Sequence, residues 1–474
     1  MRSLIISFLI LFVSCSTSHQ KPNILFFFSD DQTYKGVNAL GNDEVKTPSL
    51  DKLVEEGVTF THTFNMGAWN GAVCVASRAM LNTGKMIWRA HAAEKEYEKL
   101  RDDRHFWAQR MEDAGYETYM TGKWHVKMGA DRLFNTTSHI RPGMPGTVPS
   151  AYNRPLSKDD EEWLPWDTAN GGFWQGGKHW SEVVADDALQ FLEQAKESDN
   201  PFFMYVAFNA PHDPRQSPRE YVDMYPVEKI KIPASFLPEY PYKDFIGCSA
   251  SLRDEMLAPF PRTPYSIQVH RQEYYAIISH LDVQVGRVLE GLEKSGMADN
   301  TYIFFTSDHG LAIGHHGLVG KQNMFDHSVR VPLIVVGPDI PKNKKRDQMV
   351  YLQDVMASAL DLADYDQPAF VEFNSLLPMI RSKRKKSAYP FIYGAYLNLQ
   401  RSIRTEKYKL IIYPEAKKML LFDLKNDPEE MIDLAGEENY KDQIHSLTKA
   451  LEELQKQMED PLDLSAFFPD YFSK

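Results

Sequence analysis

Residues 23–31 read Asn-Ile-Leu-Phe-Phe-Phe-Ser-Asp-Asp, an apolar run of strand length stopped by two adjacent carboxylates. Polar residues do not alternate with apolar ones, so such a strand needs cover on both faces. That is the mark of a parallel sheet layered between helices. The pattern returns along the chain. Tyr116–Met120 runs into Thr121-Gly122-Lys123-Trp124-His125, Phe202–Phe208 into Ala210-Pro211-His212-Asp213, and Thr301–Ser307 into Asp308-His309-Gly310. In open α/β sheets, ligands bind beyond the carboxyl ends of the strands. The four polar clusters all follow such runs, so they are expected on one rim.

Helical stretches separate these runs. Thr47 reads as an N-cap with Pro48 in the first turn and Gly57 at the end. Glu182–Lys196 and Gln272–Lys294 carry the helical period. Asp131–Trp180 is instead rich in Pro, Gly and Trp without periodicity, and a loop this long within a compact domain is functional or disordered. Beyond about residue 370 the pattern changes: Ser402–Pro414 and Met419–Asp423 read as strands, Lys425–Pro428 as a turn and Tyr440–Met458 as an amphipathic helix. The expected fold is α/β, a large mostly parallel sheet sandwiched by helices, with a smaller C-terminal α+β domain built on an antiparallel sheet. The expected divisions are 1–20 (leader), 21–370 and 371–474, since 474 residues exceed what one core usually organises.

The formal net charge of −12 argues against surface-wide binding of nucleic acid or other polyanions. An anionic substrate must then be met by a local group of cations. Three cysteines, Cys15, Cys74 and Cys248, exclude a disulfide framework or a cysteine-rich zinc site. At most one disulfide joins the latter two. Arg2 precedes an apolar run, Leu4–Val13, too short to span a bilayer but of the length of an export-signal core. Phe12-Val13-Ser14-Cys15 resembles a bacterial lipoprotein cleavage box, with Cys15 lipidated and Ser16–Gln20 a polar tether. An ordinary secretory signal cut nearby is the alternative. Either reading expects an exported bacterial protein, in the periplasm or as an outer-membrane lipoprotein, meeting the membrane only through its lipid.

Residues 74–84 read Cys-Val-Ala-Ser-Arg-Ala-Met-Leu-Asn-Thr-Gly. A lone cysteine ahead of a helix is more often buried and inert, but the whole string resembles the signature of formylglycine-dependent (type I) sulfatases, Cys-x-(Pro/Ala)-Ser-Arg followed by Thr-Gly. The resemblance runs from residue 22 to about 436 and ends on Leu421–Glu430, similar to the family's C-terminal motif. It implies an alkaline-phosphatase-like fold and oxidation of Cys74 by a maturase to formylglycine, whose hydrated aldehyde attacks sulfur. Ala76, where many members carry Pro, fits the radical-type maturase.

A sulfate ester is anionic, so a divalent ion that acts as Lewis acid and template eases nucleophilic approach. The resemblance implies one ion, calcium rather than magnesium, held by Asp30, Asp31, Asp308 and His309; hard carboxylate oxygens suit it. Taken singly, Asp30-Asp31 also reads as a helix cap and Asp308-His309-Gly310 as a turn. By the same resemblance Arg78 anchors the formylglycine, Lys123 and His125 hold sulfate and diol, and His212 and Lys321 bridge the sulfate and leaving oxygen, with His212 as proton donor. The substrate class expected is a sulfated carbohydrate, an oligosaccharide from a polysaccharide or glycan. Trp163, Trp166, Trp174, His179 and Trp180 could wall the site, and His179, Arg215, His315 and His316 could meet hydroxyls, carboxylates or a second sulfate; packing of the long loop is the alternative. Two other functions stay open: a phosphonate or phosphate-ester hydrolase of the same superfamily, and a non-catalytic glycan-binding relative.

Overall fold

Every position of β1 (Asn23–Ser29) is buried, as its Ile, Leu and three Phe require. The computed structural model describes residues 21–381 and 386–472. In chain order β1 is followed by β2 (Val58–Phe64), β3 (Gly67–Ala68), β4 (Glu117–Lys123), β5 (Thr136–Arg141), β6 (Trp174–Gln175), β7 (Lys178–His179), β8 (Phe202–Ala207), β9 (Thr301–Ser307), β10 (Arg330–Val336), β11 (Lys344–Tyr351), β12 (Ile392–Tyr396), β13 (Gln400–Arg404), β14 (Tyr408–Tyr413) and β15 (Lys418–Asp423). Eight of these form one sheet in the order β11-β2-β10-β9-β1-β8-β4-β5. Its neighbours run parallel except at β10, which is antiparallel to both β9 and β2.

The even residues of β1 and the odd ones serve different cores, because side chains alternate across a strand. Phe26 and Phe28 pack with Trp107 and Tyr205 under helices Trp107–Asp113 and Asp354–Leu362. Leu25 and Phe27 pack with Val184, Phe191, Ile277 and Leu281 from helices Trp180–Lys196 and Pro264–Ser295. The sheet is thereby sandwiched. Strands β9, β1, β8 and β4 are consecutive neighbours, so the four polar clusters do lie side by side at one edge.

The second sheet, β15-β14-β13-β12-β3, is antiparallel through its C-terminal strands. Its fifth member comes from far upstream: β3 pairs parallel with β12, Gly67 beside Ala395 and Ala68 beside Tyr396. Buried charge also joins the C-terminal sheet to the body. Asp326 Oδ1 accepts from Arg404 (2.7 Å) and Lys409 (2.8 Å), and Lys409 also pairs with Glu430 at 2.7 Å. This gives the Pro428-Glu429-Glu430 motif a structural task.

Some expectations are revised. Ser402–Pro414 is two strands, because Thr405 turns the chain: its N–H donates to Tyr408 O (2.8 Å) and its hydroxyl accepts from Tyr408 N–H (2.8 Å). The helix read at Gln272–Lys294 starts earlier, at Pro264, where the Thr263 hydroxyl accepts from Ser266 N–H at 3.1 Å. Residues 131–180 hold β5 and the small hairpin β6–β7. Cys74 and Cys248 are free and buried. The leader and Cys15 lie outside the described residues. Among the described residues no helix is long and apolar enough to cross a membrane.

Gly122 shows how tightly β4 is set against β8. Its φ is +87°, and a Cβ there would lie 1.8 Å from Ala207 O on the paired strand. Gly122→Ala should therefore cost roughly 3 kcal/mol or more of stability, read as a lowered thermal midpoint. An unchanged midpoint would mean that β4 shifts freely on β8.

Candidate active site

The helix Val73–Thr83 begins one residue before Cys74, and all its residues are buried. Gly84, at φ +69°, ends it with its N–H on Met80 O. Cys74 and Arg78 are one turn apart and so face the same pocket. Arg78 is 0 % exposed, with Nε donating to Asp308 Oδ2 (2.8 Å) and Nη1 to Lys123 O (2.7 Å). Its guanidinium also lies over the Phe28 ring, 4.6 Å from the centroid.

Around Cys74 the rim clusters converge. Lys321 Nζ donates to both Asp31 oxygens (2.8 and 2.6 Å) and lies 3.2 Å from Cys74 Sγ. Lys123 Nζ donates to Asp30 Oδ2. His212 Nε2 is 3.5 Å from Asp31 Oδ2, while its Nδ1 is 2.8 Å from Asp213 O and 3.0 Å from Asp213 Oδ1. One potential ligand atom each from Asp30, Asp31, Cys74 and His212 all lie within 4.8 Å of one another. Asp308 joins them by accepting Asp31 N–H at 3.1 Å. Asp31 sits at φ +67°, which turns the chain so that its carboxylate faces this centre.

Cations and carboxylates here are buried together, so each sets its neighbour's protonation. Burial pushes Asp31 up to about 6, against the pull of Lys321 and His212. At Asp308 burial acts the same way, but Arg78, Lys123 and Lys321 outweigh it and hold the group down to about 2. Burial opposes the charge on Lys321 and Lys123, yet Asp31 and Asp30 respectively raise both above the usual lysine value. His125 follows β4 at φ +58° and is pushed down to about 3 by burial and by Lys123 and Arg78. Its ring packs on Gly143, where a Cβ would come within 2.5 Å of it.

The residues fit a divalent cation. His309 Nδ1 donates to Gly310 O at 3.0 Å, which leaves the lone pair on Nε2. That Nε2 and Asp30 Oδ1 are buried and have no hydrogen-bond partner among the described residues. Burial keeps His309 neutral, down to about 3, as a ligand must be. Asp30 and Asp31 lie in the compact group of potential ligands, Asp308 is bonded to Asp31, and His309 follows it in the chain, so three carboxylates and one imidazole are available to such an ion.

The residues read as sugar contacts are placed differently. His179 is fully buried and caps the following helix: Nδ1 accepts Ser181 N–H (3.1 Å) and Nε2 donates to Gln216 O (2.9 Å). Both nitrogens are engaged inside the fold. Arg215 is 1 % exposed and turned toward His270 Nδ1, 3.4 Å away. His316 is stacked on Phe325 and bonded to Glu430 O at 3.0 Å. His315 bonds Ser235 Oγ at 2.8 Å and lines a cavity of about 340 Å³ with Tyr274, Tyr275 and Arg271. Trp174 is half-buried, edge-on to His179. Trp163, Trp166 and Trp180 each lie against a guanidinium, of Arg154, Arg219 and Arg141. Each of these aromatics thus has a packing partner within the fold.

Two further contacts reach the centre from segments without a motif. Tyr274 donates to Asp31 O at 2.7 Å, but within a helix its sequence signal is that of core. Asn65 Nδ2 donates to Asp308 O at 3.0 Å and comes from a strand end that carries no motif.

Known proteins resemble this chain over most of its length. The Sulfatase family model matches residues 22–365, and the N-sulphoglucosamine sulphohydrolase C-terminal model matches residues 314–457. The chain belongs to the sulfatase family, and is a hydrolase of sulfuric esters. N-acetylglucosamine-6-O-sulfatase of Bacteroides thetaiotaomicron is 26 % identical over 93 % of this chain and 87 % of its own length. A solved structure described as a complex with its substrate D-glucosamine-2-N,6-O-disulfate aligns with TM-score 0.72 at 24 % identity, over 93 % of this chain and 99 % of that one. The phosphonate monoester hydrolase of Silicibacter pomeroyi aligns with TM-score 0.73 at 19 % identity, over 93 % and 96 %. The architecture is thus shared by enzymes acting on different esters.

Proposed function

We propose that this sulfatase hydrolyses a sulfate ester of a carbohydrate, using formylglycine made from Cys74 and one calcium ion. The observation that carries the chemistry is Cys74 Sγ set 3.2 Å from Lys321 Nζ, within the buried Asp30–Asp31–His212 cluster. Once converted, residue 74 supplies a hydroxyl nucleophile. Asp30, Asp31, Asp308 and His309 would hold the ion, which supplies Lewis acidity. Arg78 keeps residue 74 oriented from one turn along its helix. Lys123 and Lys321 offset charge on the sulfate oxygens. His212 gives its proton to the leaving oxygen, and His125, neutral under burial, accepts one from residue 74. A carbohydrate is supported by the likeness to an N-acetylglucosamine-6-O-sulfatase over nearly the whole chain. It also accords with an export leader ending at Cys15, which would place the enzyme among external glycans.

A panel of defined sulfated saccharides, an aryl sulfate, a phosphate monoester and a phosphonate ester tests the reading. Sulfate release from a saccharide with kcat/KM well above that for the phosphorus esters is expected. Turnover of the phosphonate alone would overturn it.

His212→Ala should lower kcat by roughly 10²–10⁴-fold on sugar or alkyl sulfates. On an aryl sulfate, whose leaving group needs little protonation, the loss should be far smaller. Equal losses on both would assign His212 to sulfate binding instead.

A further inference from the structure

Asp213 and Arg253 have no part in the roles above, yet they complete a continuous polar chain around the nucleophile. The carboxylate of Asp213, 5 % exposed, lies 3.0 Å from His212 Nδ1 through Oδ1. Both terminal nitrogens of Arg253 grasp it, Nη1 on Oδ2 and Nη2 at 3.3 Å from Oδ1. The same Nη2 donates to Asp254 Oδ1. The other oxygen of Asp254 accepts Gln322 Nε2 at 2.7 Å, and Gln322 Oε1 accepts the Lys321 N–H at 3.0 Å. The chain therefore starts at the His212 imidazole, which belongs to the cluster with Cys74, and ends at the backbone of Lys321, whose Nζ lies 3.2 Å from Cys74 Sγ.

Asp213 is buried in a tight turn, where burial opposes its charge and the His212 ring and then Arg253 offset it. A ring with one nitrogen pinned between a carbonyl and a carboxylate has one orientation, and that orientation aims Nε2 at the reacting atoms. We propose that Asp213 is a positioning residue for leaving-group protonation, holding the His212 ring, and that Arg253 fixes Asp213 and, through Asp254 and Gln322, the Lys321 backbone. This rests on His212 being the proton donor. Arg253 is the part of the chain nearest solvent, its side chain 34 % exposed, so it can be altered with the least disturbance to folding.

The test uses full-length, converted enzyme and two substrates, an aryl sulfate and a sugar or alkyl sulfate. Asp213→Asn should lower kcat on the poor leaving group roughly 10–100-fold, with KM and aryl sulfate turnover little changed. In a His212→Ala background it should have no further effect, because a residue that acts through another is silent once that one is gone. Arg253→Met should show the same selectivity more weakly, and Arg253→Lys should restore part of it. If the Asp213 and His212 losses multiply, or if Asp213→Asn slows both substrates equally while His212→Ala discriminates, the positioning role is wrong. If His212→Ala itself fails to discriminate, the proton-donor reading falls first. Should Asp213→Asn not fold, the Arg253 variants decide: selective loss supports the proposal, and unchanged leaving-group dependence overturns it.

Discussion

Cys74→Ala protein is expected to fold normally and to lose at least roughly a thousandfold in kcat on every sulfate ester tried. The fold should survive because Cys74 is small and lies in a fully buried helix that alanine favours. The activity should not, because the proposed nucleophile is made from the sulfur-bearing side chain that lies 3.2 Å from Lys321 Nζ. Wild-type protein made without a maturase should resemble the alanine variant. Peptide mass analysis of active enzyme should show the 74-containing peptide converted in proportion to specific activity. Full activity in preparations that carry only cysteine would remove formylglycine from the mechanism.

Asp31→Asn should be nearly as damaging, with at least about a hundredfold loss in kcat/KM and loss of bound calcium. Asparagine tolerates the positive φ of this position as readily as aspartate, so the backbone stays and the charge goes. What remains is Lys321, whose Nζ donated to both oxygens of that carboxylate, now buried with its main counter-charge gone. Elemental analysis of the purified variant separates the two contributions: activity lost with calcium retained would point to Lys321, and activity lost with calcium absent to ligation. Unchanged rates together with a full calcium complement would exclude Asp31 as a ligand.

The strands were legible where the chemistry of the chain left no choice. Asn23–Ser29 and Thr301–Ser307 are apolar on both faces, and the structure gives them those bounds. Val58–Phe64 and Arg330–Val336 carry a weaker signal, since the first alternates with threonines and a histidine and the second carries a proline. Both lie where β10 reverses direction, and such a reversal has no signature in a run of residues. At the site, Cys74, Arg78 and the rim carboxylates were legible because motif and strand end coincide. Asp213 was in view beside His212, but its partner Arg253 comes 40 residues later from a segment of turns, so their pairing exists only in the fold. His179 is the opposite case: an imidazole among tryptophans suggests a sugar site, and the helix cap made by its Nδ1 is visible only in the fold.

The pairing of β3 with β12 has a consequence in time. Gly67 and Ala68, just ahead of the nucleophile helix, find their sheet partners in Ala395 and Tyr396, synthesised more than 300 residues after Cys74. At about 5–20 residues per second, ribosomes need roughly 15 s to a minute to make that stretch. Through that interval the segment that carries Cys74 lacks one of its anchoring edges. In the finished fold Cys74 is 2 % exposed, closed to any protein-sized catalyst. A catalyst of protein size that acted on residue 74 would therefore have to do so before this last sheet closes.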